Sequence, residues 1–272
     1  MGCIVEIIGV GNELLIGKIA NTNAQWLAKT ITNLGGEVRR IVDVGDNLDE
    51  ISAAIREALD RAPTWLIVTG GLGPTFDDMT LEGIAKALAV PLKLDEEAKN
   101  MVKEKYDKYH ERTGENIELT PARLKMATLP LGGKPLRNPA GTAPGLMIRS
   151  GLTTIVALPG VPIEMQTIFK ETLEPLIRET AGERYVYSKY LRATGVIEST
   201  LAPLIDLVMH DNPGVYVKSH PKEPEPLPVI EFHISSYSRS LELSRKKVED
   251  AAAQLSRLVH ENKGKVEEIE GG

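Results

Sequence analysis

One cysteine, Cys3, stands in the whole chain. No intrachain disulfide and no thiolate-based zinc site can form from it. Cys3 lies in an apolar run, the usual setting of a buried free thiol. No apolar run reaches the roughly 18 residues that a membrane-spanning helix needs. The N-terminus, Met1 to Glu6, has no basic segment followed by a long apolar one, so it does not read as a signal peptide. These absences point to the cytoplasm and away from a membrane. Positive charge is also in short supply: 32 Lys and Arg face 38 Asp and Glu, for a formal net charge of −6. That balance argues against a nucleic-acid binder. It leaves room for a small anionic ligand, because backbone N–H groups and a metal can hold phosphate without surplus cations. The five histidines show no metal-ligand spacing. No Gly-x-Ser-x-Gly elbow occurs, which disfavours a serine hydrolase. There is no internal repeat and no low-complexity tract.

What is present is globular: 42% of the chain is hydrophobic and 26% charged. Its 272 residues suffice for one large domain or two of ordinary size. The first part alternates strand and helix. Cys3 to Val10 is a short β-rich run. Asn21 to Leu34 carries Ala24, Leu27, Ala28 and Ile31 at helical spacing, and Gly35-Gly36 ends it. Glu37 to Val44 reads as a second strand and Asp49 to Leu59 as a second helix. Trp65 to Thr69 is a third strand, the near-continuous apolar run of a buried parallel strand. Such an alternation indicates a parallel sheet with right-handed crossovers. Further helices are expected at Thr80 to Ala89, at Asp95 to Arg112, after Thr120-Pro121, and at Ile163 to Thr180. Another strand is expected at Thr153 to Leu158. The helix at Asp95 is mostly polar, which puts it on the surface or in a subunit contact. Pro130 to Gly145 reads as a Gly/Pro-rich stretch.

A boundary falls near Ala181-Gly182, giving domains 1–182 and 183–272. Beyond it the order changes to strand Tyr185 to Leu191, helix Glu198 to Met209, strands Val215 to Lys218 and Val229 to Ser235, and helix Leu241 to His260. That is a small α+β module. The proline-rich segment His220 to Pro228 is expected to be stiff and solvent-facing.

Chemistry concentrates in one segment, Thr69-Gly70-Gly71-Leu72-Gly73-Pro74-Thr75-Phe76-Asp77-Asp78. Three glycines in four residues follow a buried strand. Glycine admits positive φ and lets backbone N–H groups approach a ligand, and parallel sheets take ligands beyond the carboxyl ends of their strands. Asp78 stands where it can cap the helix from Thr80. Asp77 can face the ligand and hold a Mg²⁺-like ion beside phosphate. The plainer reading is a tight turn with a cap, which needs fewer glycines. The segment lacks Gly-Lys-Ser/Thr and is not a P-loop.

Other loops belong to the same edge. Gly9-Val10-Gly11-Asn12-Glu13 follows the first strand, without the third glycine of a dinucleotide fingerprint. Asp46 ends the second strand. Glu13, Asp46 and Asp77 on one edge would repel one another without a cation, which favours a metal-dependent site over a set of solvated charges. Asn21-Thr22-Asn23 supplies short polar side chains, for capping or for ligand contact. Gly141-Thr142-Ala143-Pro144-Gly145 and Leu158-Pro159-Gly160-Val161-Pro162-Ile163-Glu164 are either anion-facing loops or plain turns.

Together these stretches, about 165 residues in order, resemble the CinA family, whose N-terminal part is similar to the molybdopterin-binding MogA/MoaB/MoeA domain. The string Thr-Gly-Gly-Leu-Gly-Pro-Thr-x-Asp-Asp carries most of the resemblance. It implies a three-layer α/β/α sandwich with a mostly parallel sheet. It also implies ADP-ribose pyrophosphatase activity, yielding AMP and ribose 5-phosphate, with Mg²⁺, Co²⁺ or Ni²⁺ and K⁺ beside it. On that resemblance Asp77, Asp46 and Glu13 are the catalytic candidates, and Asp77 and Asp78 the metal ligands. Gly70, Gly71, Gly73 and Thr75 form the phosphate cradle, with Asn23, Thr142, Gly145 and Gly160 around it. One departure stands out: Asn12 takes the place of the family's usual Asp before Glu13.

The second module resembles the KH-like middle domain of CinA proteins, through Arg192-Ala193-Thr194-Gly195 and Glu198-Ser199. It lacks the Gly-x-x-Gly clamp of an RNA-binding KH domain. From Glu183 onward 12 Lys and Arg face 14 Asp and Glu, so RNA is not expected as a partner and a structural or dimerising role is. Longer CinA proteins continue into a nicotinamide-nucleotide amidase domain; with this chain ending at Gly272 that activity is expected to be absent. Two other functions compete with hydrolysis. One is a molybdopterin- or nucleotide-binding protein of molybdenum cofactor biosynthesis type, and the other a ligand-binding module without turnover.

Overall fold

The computed structural model describes residues 2–115, 117–182, 185–222, 227–238 and 240–270. The chain divides into two compact units, Met1–Ala181 and Gly182–Gly272.

The first unit begins β1 (Ile4–Val10), α1 (Asn12–Leu15), α2 (Thr22–Asn33), β2 (Glu37–Val44), α3 (Leu48–Asp60), β3 (Trp65–Thr69) and α4 (Thr80–Leu88). It continues through β4 (Leu92–Leu94), α5 (Glu96–Thr113), α6 (Pro121–Lys125), β5 (Thr128–Pro130), β6 (Lys134–Leu136), β7 (Gly145–Ser150) and β8 (Thr153–Leu158). It ends on α7 (Pro162–Ile168), which runs through a π turn (Phe169–Leu173) into α8 (Glu174–Ala181). Short polar side chains start the main helices, each accepting the orphan N–H groups of a first turn. Asn21 accepts from Ala24 at 2.8 Å, Asn47 from Asp49 at 2.9 Å, and Asp95 from Ala98 at 2.8 Å.

The sheet runs β2-β1-β3-β8-β7-β6. Its first four strands are parallel, and β7 and β6 extend it as an antiparallel hairpin. Successive residues of the central strands enter opposite cores. Ile8, Leu66, Val68 and Ile155 pack with Ile51 and Ile55 of α3, Ile84 of α4 and Val102 of α5. Ile7, Ile67 and Val156 pack with Leu27 and Ile31 of α2 and with Met165, Phe169 and Ile177 of the last helices. Burial on both faces explains the near-continuous apolar runs of β3 and β8, and that of β1 but for Glu6, whose buried carboxylate is paired with Arg61 at 2.6 Å. This is the expected three-layer α/β/α sandwich with a mostly parallel sheet. Cys3 is buried at the foot of β1, and α5 buries only Ala98 and Val102, as its polar composition demands.

The second unit is β9 (Tyr185–Thr194), α9 (Glu198–Asp211), β10 (Val215–Pro221), β11 (Val229–Ser238), α10 (Leu241–Glu261) and β12 (Lys265–Ile269). Its antiparallel sheet runs β10-β11-β9-β12. Leu191, Phe232 and Ile234 of the sheet share a core with Leu201 and Ile205 of α9 and Val248, Leu255 and Val259 of α10. The small α+β module is present. The order β-α-β-β-α-β with this strand arrangement is the split βαβ of ferredoxin-like modules. Strand β12 is a fourth strand that adds to the far side of β9. Residues 223–226 of the proline-rich segment lie outside the described residues. Among the described residues no helix is long and apolar enough to cross a membrane.

Candidate functional site

The four parallel strands end on one edge. From β1 the sheet extends to β2 on one side and to β3 on the other, a reversal that opens a crevice beyond the strand ends. A cleft of about 450 Å³ lies there. Val10, Gly11 and Glu13 come from the end of β1, and Asp46 from the end of β2. Gly70 to Thr75, Asp77 and Asp78 follow β3; Pro159, Gly160, Val161 and Glu164 follow β8. Met126, Thr142 and Ala143 complete the wall.

The glycine loop has a backbone only glycine accepts at two points. Gly70 has φ 101° and Gly71 φ 64°. A Cβ on Gly70 would stand 2.3 Å from the Val10 carbonyl oxygen, and one on Gly71 2.5 Å from the Thr80 hydroxyl. The buried Thr80 fixes this shape: its hydroxyl donates to the Gly70 carbonyl at 2.7 Å and its N–H to the Gly71 carbonyl at 3.1 Å. The Gly70 N–H donates to Leu158 at 3.0 Å, which ties the loop to β8. The N–H groups of Gly71, Leu72 and Gly73 find no acceptor among the described residues. All three residues line the cleft. Successive free N–H groups in a tight turn are an anion-binding concavity.

The far side of the loop is braced through Thr75. Asp78 accepts from the Thr75 N–H at 2.8 Å and from its hydroxyl at 2.6 Å. The same hydroxyl approaches Asp77. Lys125 donates to the Thr75 carbonyl at 2.9 Å. This corrects the expected role of Asp78. Helix α4 starts after Met79 with no side-chain cap, because the turn aims Asp78 back at Thr75. The Thr75 hydroxyl, with smaller contributions from the Asp77 N–H and Lys125, holds the Asp77 carboxyl below the usual carboxylate range.

Two other brackets shape the walls. The Asn12 N–H donates to Asp46 Oδ2 at 2.9 Å, and the Asp46 N–H donates back to Asn12 Oδ1 at 3.2 Å. Buried Asn138 makes four bonds: its amide donates to the Ala143 carbonyl and to Glu164 Oε2, and its carbonyl accepts from Ala140 and Gly141. One side chain therefore sets both the Thr142 loop and the Glu164 carboxylate. The sequence offered only a turn-forming Asn-Pro at that place. Lys125, too, has no motif around it.

Of the expected site residues, Glu13, Asp46, Gly70, Gly71, Gly73, Thr75, Asp77, Asp78, Thr142 and Gly160 line the cleft. Asn23 does not; its amide donates to the Gly160 carbonyl at 2.7 Å and so steadies the β8 loop. Nor does Gly145, which opens β7 opposite Leu136, where a Cβ would press on the Ala157 carbonyl at 2.9 Å.

The lining carries five carboxylates, Glu13, Asp46, Asp77, Asp78 and Glu164, and no Lys or Arg. Among the described residues no three His, Cys, Asp or Glu side chains come close enough to cage a metal ion. A divalent ion would therefore depend on one or two of these carboxylates plus oxygens of the ligand and water.

Comparison with known proteins gives a consistent result. A family model described as a probable molybdopterin binding domain matches residues 6–179. A protein of Thermoplasma volcanium is 44% identical over 250 residues, covering 92% of this chain and 93% of that one. A protein of Caldivirga maquilingensis is 47% identical over 251 residues, covering 92% and 94%. The crystal structure of the protein CinA, of unknown function, from Thermoplasma acidophilum superposes with a TM-score of 0.58 at 45% identity, covering 64% of this chain and 98% of that one.

Proposed function

Since the chain belongs to the family of probable molybdopterin binding domains, we propose that its cleft holds a phosphorylated pterin- or nucleotide-like ligand, with the phosphate on the Gly70–Gly73 loop. One observation carries this reading: Gly71, Leu72 and Gly73, whose N–H groups have no acceptor among the described residues, line a cleft at the carboxyl edge of a parallel sheet. Such groups favour an anion at little reorganisation cost. Calorimetric titration of the full chain with pyrophosphate and with AMP, each with and without Mg²⁺, tests it. Saturable binding abolished by Gly71→Val supports the reading; no binding under any condition sinks it.

A second reading keeps the site and adds turnover: cleavage of ADP-ribose to AMP and ribose 5-phosphate. What favours it is the acidic lining. A diphosphate entering among five carboxylates with no cation in the wall must bring positive charge with it, and Mg²⁺, Co²⁺ or Ni²⁺ bound to the phosphates would do so. Asp77 and Asp46 are the residues that would take such an ion, which when bound would polarise phosphorus and acidify water. Glu13 would accept the proton of that water. The loop N–H groups would offset charge on the phosphoryl oxygens. Phosphorus NMR of ADP-ribose with the full chain and each metal, with and without K⁺, distinguishes cleavage from binding alone.

A further inference from the structure

Aromatic residues are scarce here, with only three phenylalanines in 272 residues. Phe169 and Phe232 are 0% and 1% exposed, each in the core of its own unit. Phe76 is 85% exposed. Both of its chain neighbours, Thr75 and Asp77, line the cleft. The exposed tip is also braced. Thr75 is tied through its N–H and hydroxyl to Asp78 and through its carbonyl to Lys125, and its hydroxyl also meets Asp77. Phe76 is not itself among the residues that line the cleft, but its ring is carried on this constrained turn between two residues that are. The cleft wall itself contains no aromatic side chain. A flat heterocycle attached to a phosphate on the glycine loop thus has no ring to stack on inside, and the one exposed phenyl ring within reach of the loop is that of Phe76, next in the chain to two lining residues.

We propose that Phe76 is the stacking surface for the heteroaromatic ring of the ligand, a purine or a pterin joined to the phosphate. This rests on the phosphate-cradle reading above. It makes Phe76 a specificity residue: the cradle takes any phosphate, and the phenyl ring selects those that carry a planar heterocycle. Stacking of this kind is sequence-tolerant and depends only on a π-face.

The test is titration calorimetry on the full chain with three probes: AMP, neopterin monophosphate, and ribose 5-phosphate, which has no aromatic ring. Phe76→Ala should weaken one or both ring-bearing probes about tenfold, by the worth of a lost aromatic stack, and leave ribose 5-phosphate unchanged. The ring whose affinity falls more identifies the source. Phe76→Trp should keep the affinity, and its added indole emission should be quenched by the ring-bearing probes and not by ribose 5-phosphate. Equal losses for all three probes, or none for any, overturn the proposal while leaving the cradle standing. Wild-type affinities that do not differ among the three overturn it as well. Failure of the wild type to bind any of the three removes the cradle reading and this proposal with it. A change in elution volume of Phe76→Ala with ligand affinities intact would assign the ring to a subunit contact and overturn stacking.

Discussion

Asn12 and Asp46 grip each other reciprocally, each donating its backbone N–H to the other's side chain, at 2.9 and 3.2 Å. A neutral amide at position 12 lets that bracket close beside a carboxylate without repulsion. An Asp there would still accept the Asp46 N–H but would bring two carboxylates together. Asn12→Asp is expected to lower the melting temperature in chelator and to regain it on addition of Mg²⁺, by more than the wild type shifts. Thermal melts with and without the ion decide the matter; identical shifts in both proteins would show that the bracket does not sense charge.

The two aspartates of the loop should separate by phenotype. Asp78→Ala removes the acceptor of two Thr75 bonds, so loop order and ligand affinity should fall together, the latter by about tenfold at a net worth of ~1.4 kcal/mol for the two bonds. Asp77→Asn keeps the brace and removes a charge. It should leave the melting temperature in place while changing the metal dependence of binding or of any cleavage. Calorimetry paired with thermal melts reads both, and matching profiles for the two variants would contradict the division of roles.

Gly70→Ala places a methyl group against the Val10 carbonyl at a φ of 101°. Backbone strain of this sort costs about 1–3 kcal/mol, which for a unit of this size is a fall of about 2–12 °C in melting temperature. Gly17→Ala is the control, with a positive φ of 68° and open space around its Cβ; it should lose less. Scanning calorimetry of both variants checks the contrast.

In the second unit His233 stacks on Tyr190, ring centroids 4.6 Å apart, and its Nε2 meets Ser188 at 3.1 Å. Lys218 stands opposite it in register. Burial, and then nearby His220, lower its pKa. A folded-state value below the unfolded one means stability that is full above the unfolded range near ~6.5 and lost as pH falls through the folded value. The transition of this unit should therefore shift to lower temperature between pH 7 and 5. His233→Phe should flatten that part of the dependence, as circular-dichroism melts across the pH series would record.

How far the sequence announces this molecule differs by element. Strands β3 and β8 fall on the residues expected, because an apolar run bounded by turn residues has one good solution inside a doubly covered sheet; β2, a mostly exposed edge strand, falls there through Val38, Ile41, Val42 and Val44 alone. Strand β12 was invisible: Lys265, Glu267 and Glu268 give it three charges in five residues, and only its pairing with β9 makes it a strand. Strand β7 hid behind the Gly/Pro-rich stretch at whose end it starts. At the site, the glycine loop and the edge carboxylates were legible from their place after strands. Asp78 was misassigned since an acid before a helix resembles a cap, while the turn aims it back at Thr75, whose carbonyl Lys125 holds from 50 residues away. Asn138 and Lys125 act through contacts more than 20 residues away in sequence, which no local pattern encodes.

The π turn at Phe169–Leu173 has a geometric consequence for the whole last helix. Met165, Phe169, Leu173 and Ile177 recur every fourth residue and are all buried against the sheet. In a regular α-helix a four-residue step overshoots a full turn by about 40°, so the stripe would wind off the sheet before reaching Ile177. One wide turn absorbs that drift and keeps the stripe in phase. Deleting a single solvent-facing residue of the wide turn, such as Lys170, would let it close to an ordinary α turn: eleven steps of about 100° then leave Ile177 within about 20° of Met165, so the stripe survives and only the extra residue is lost.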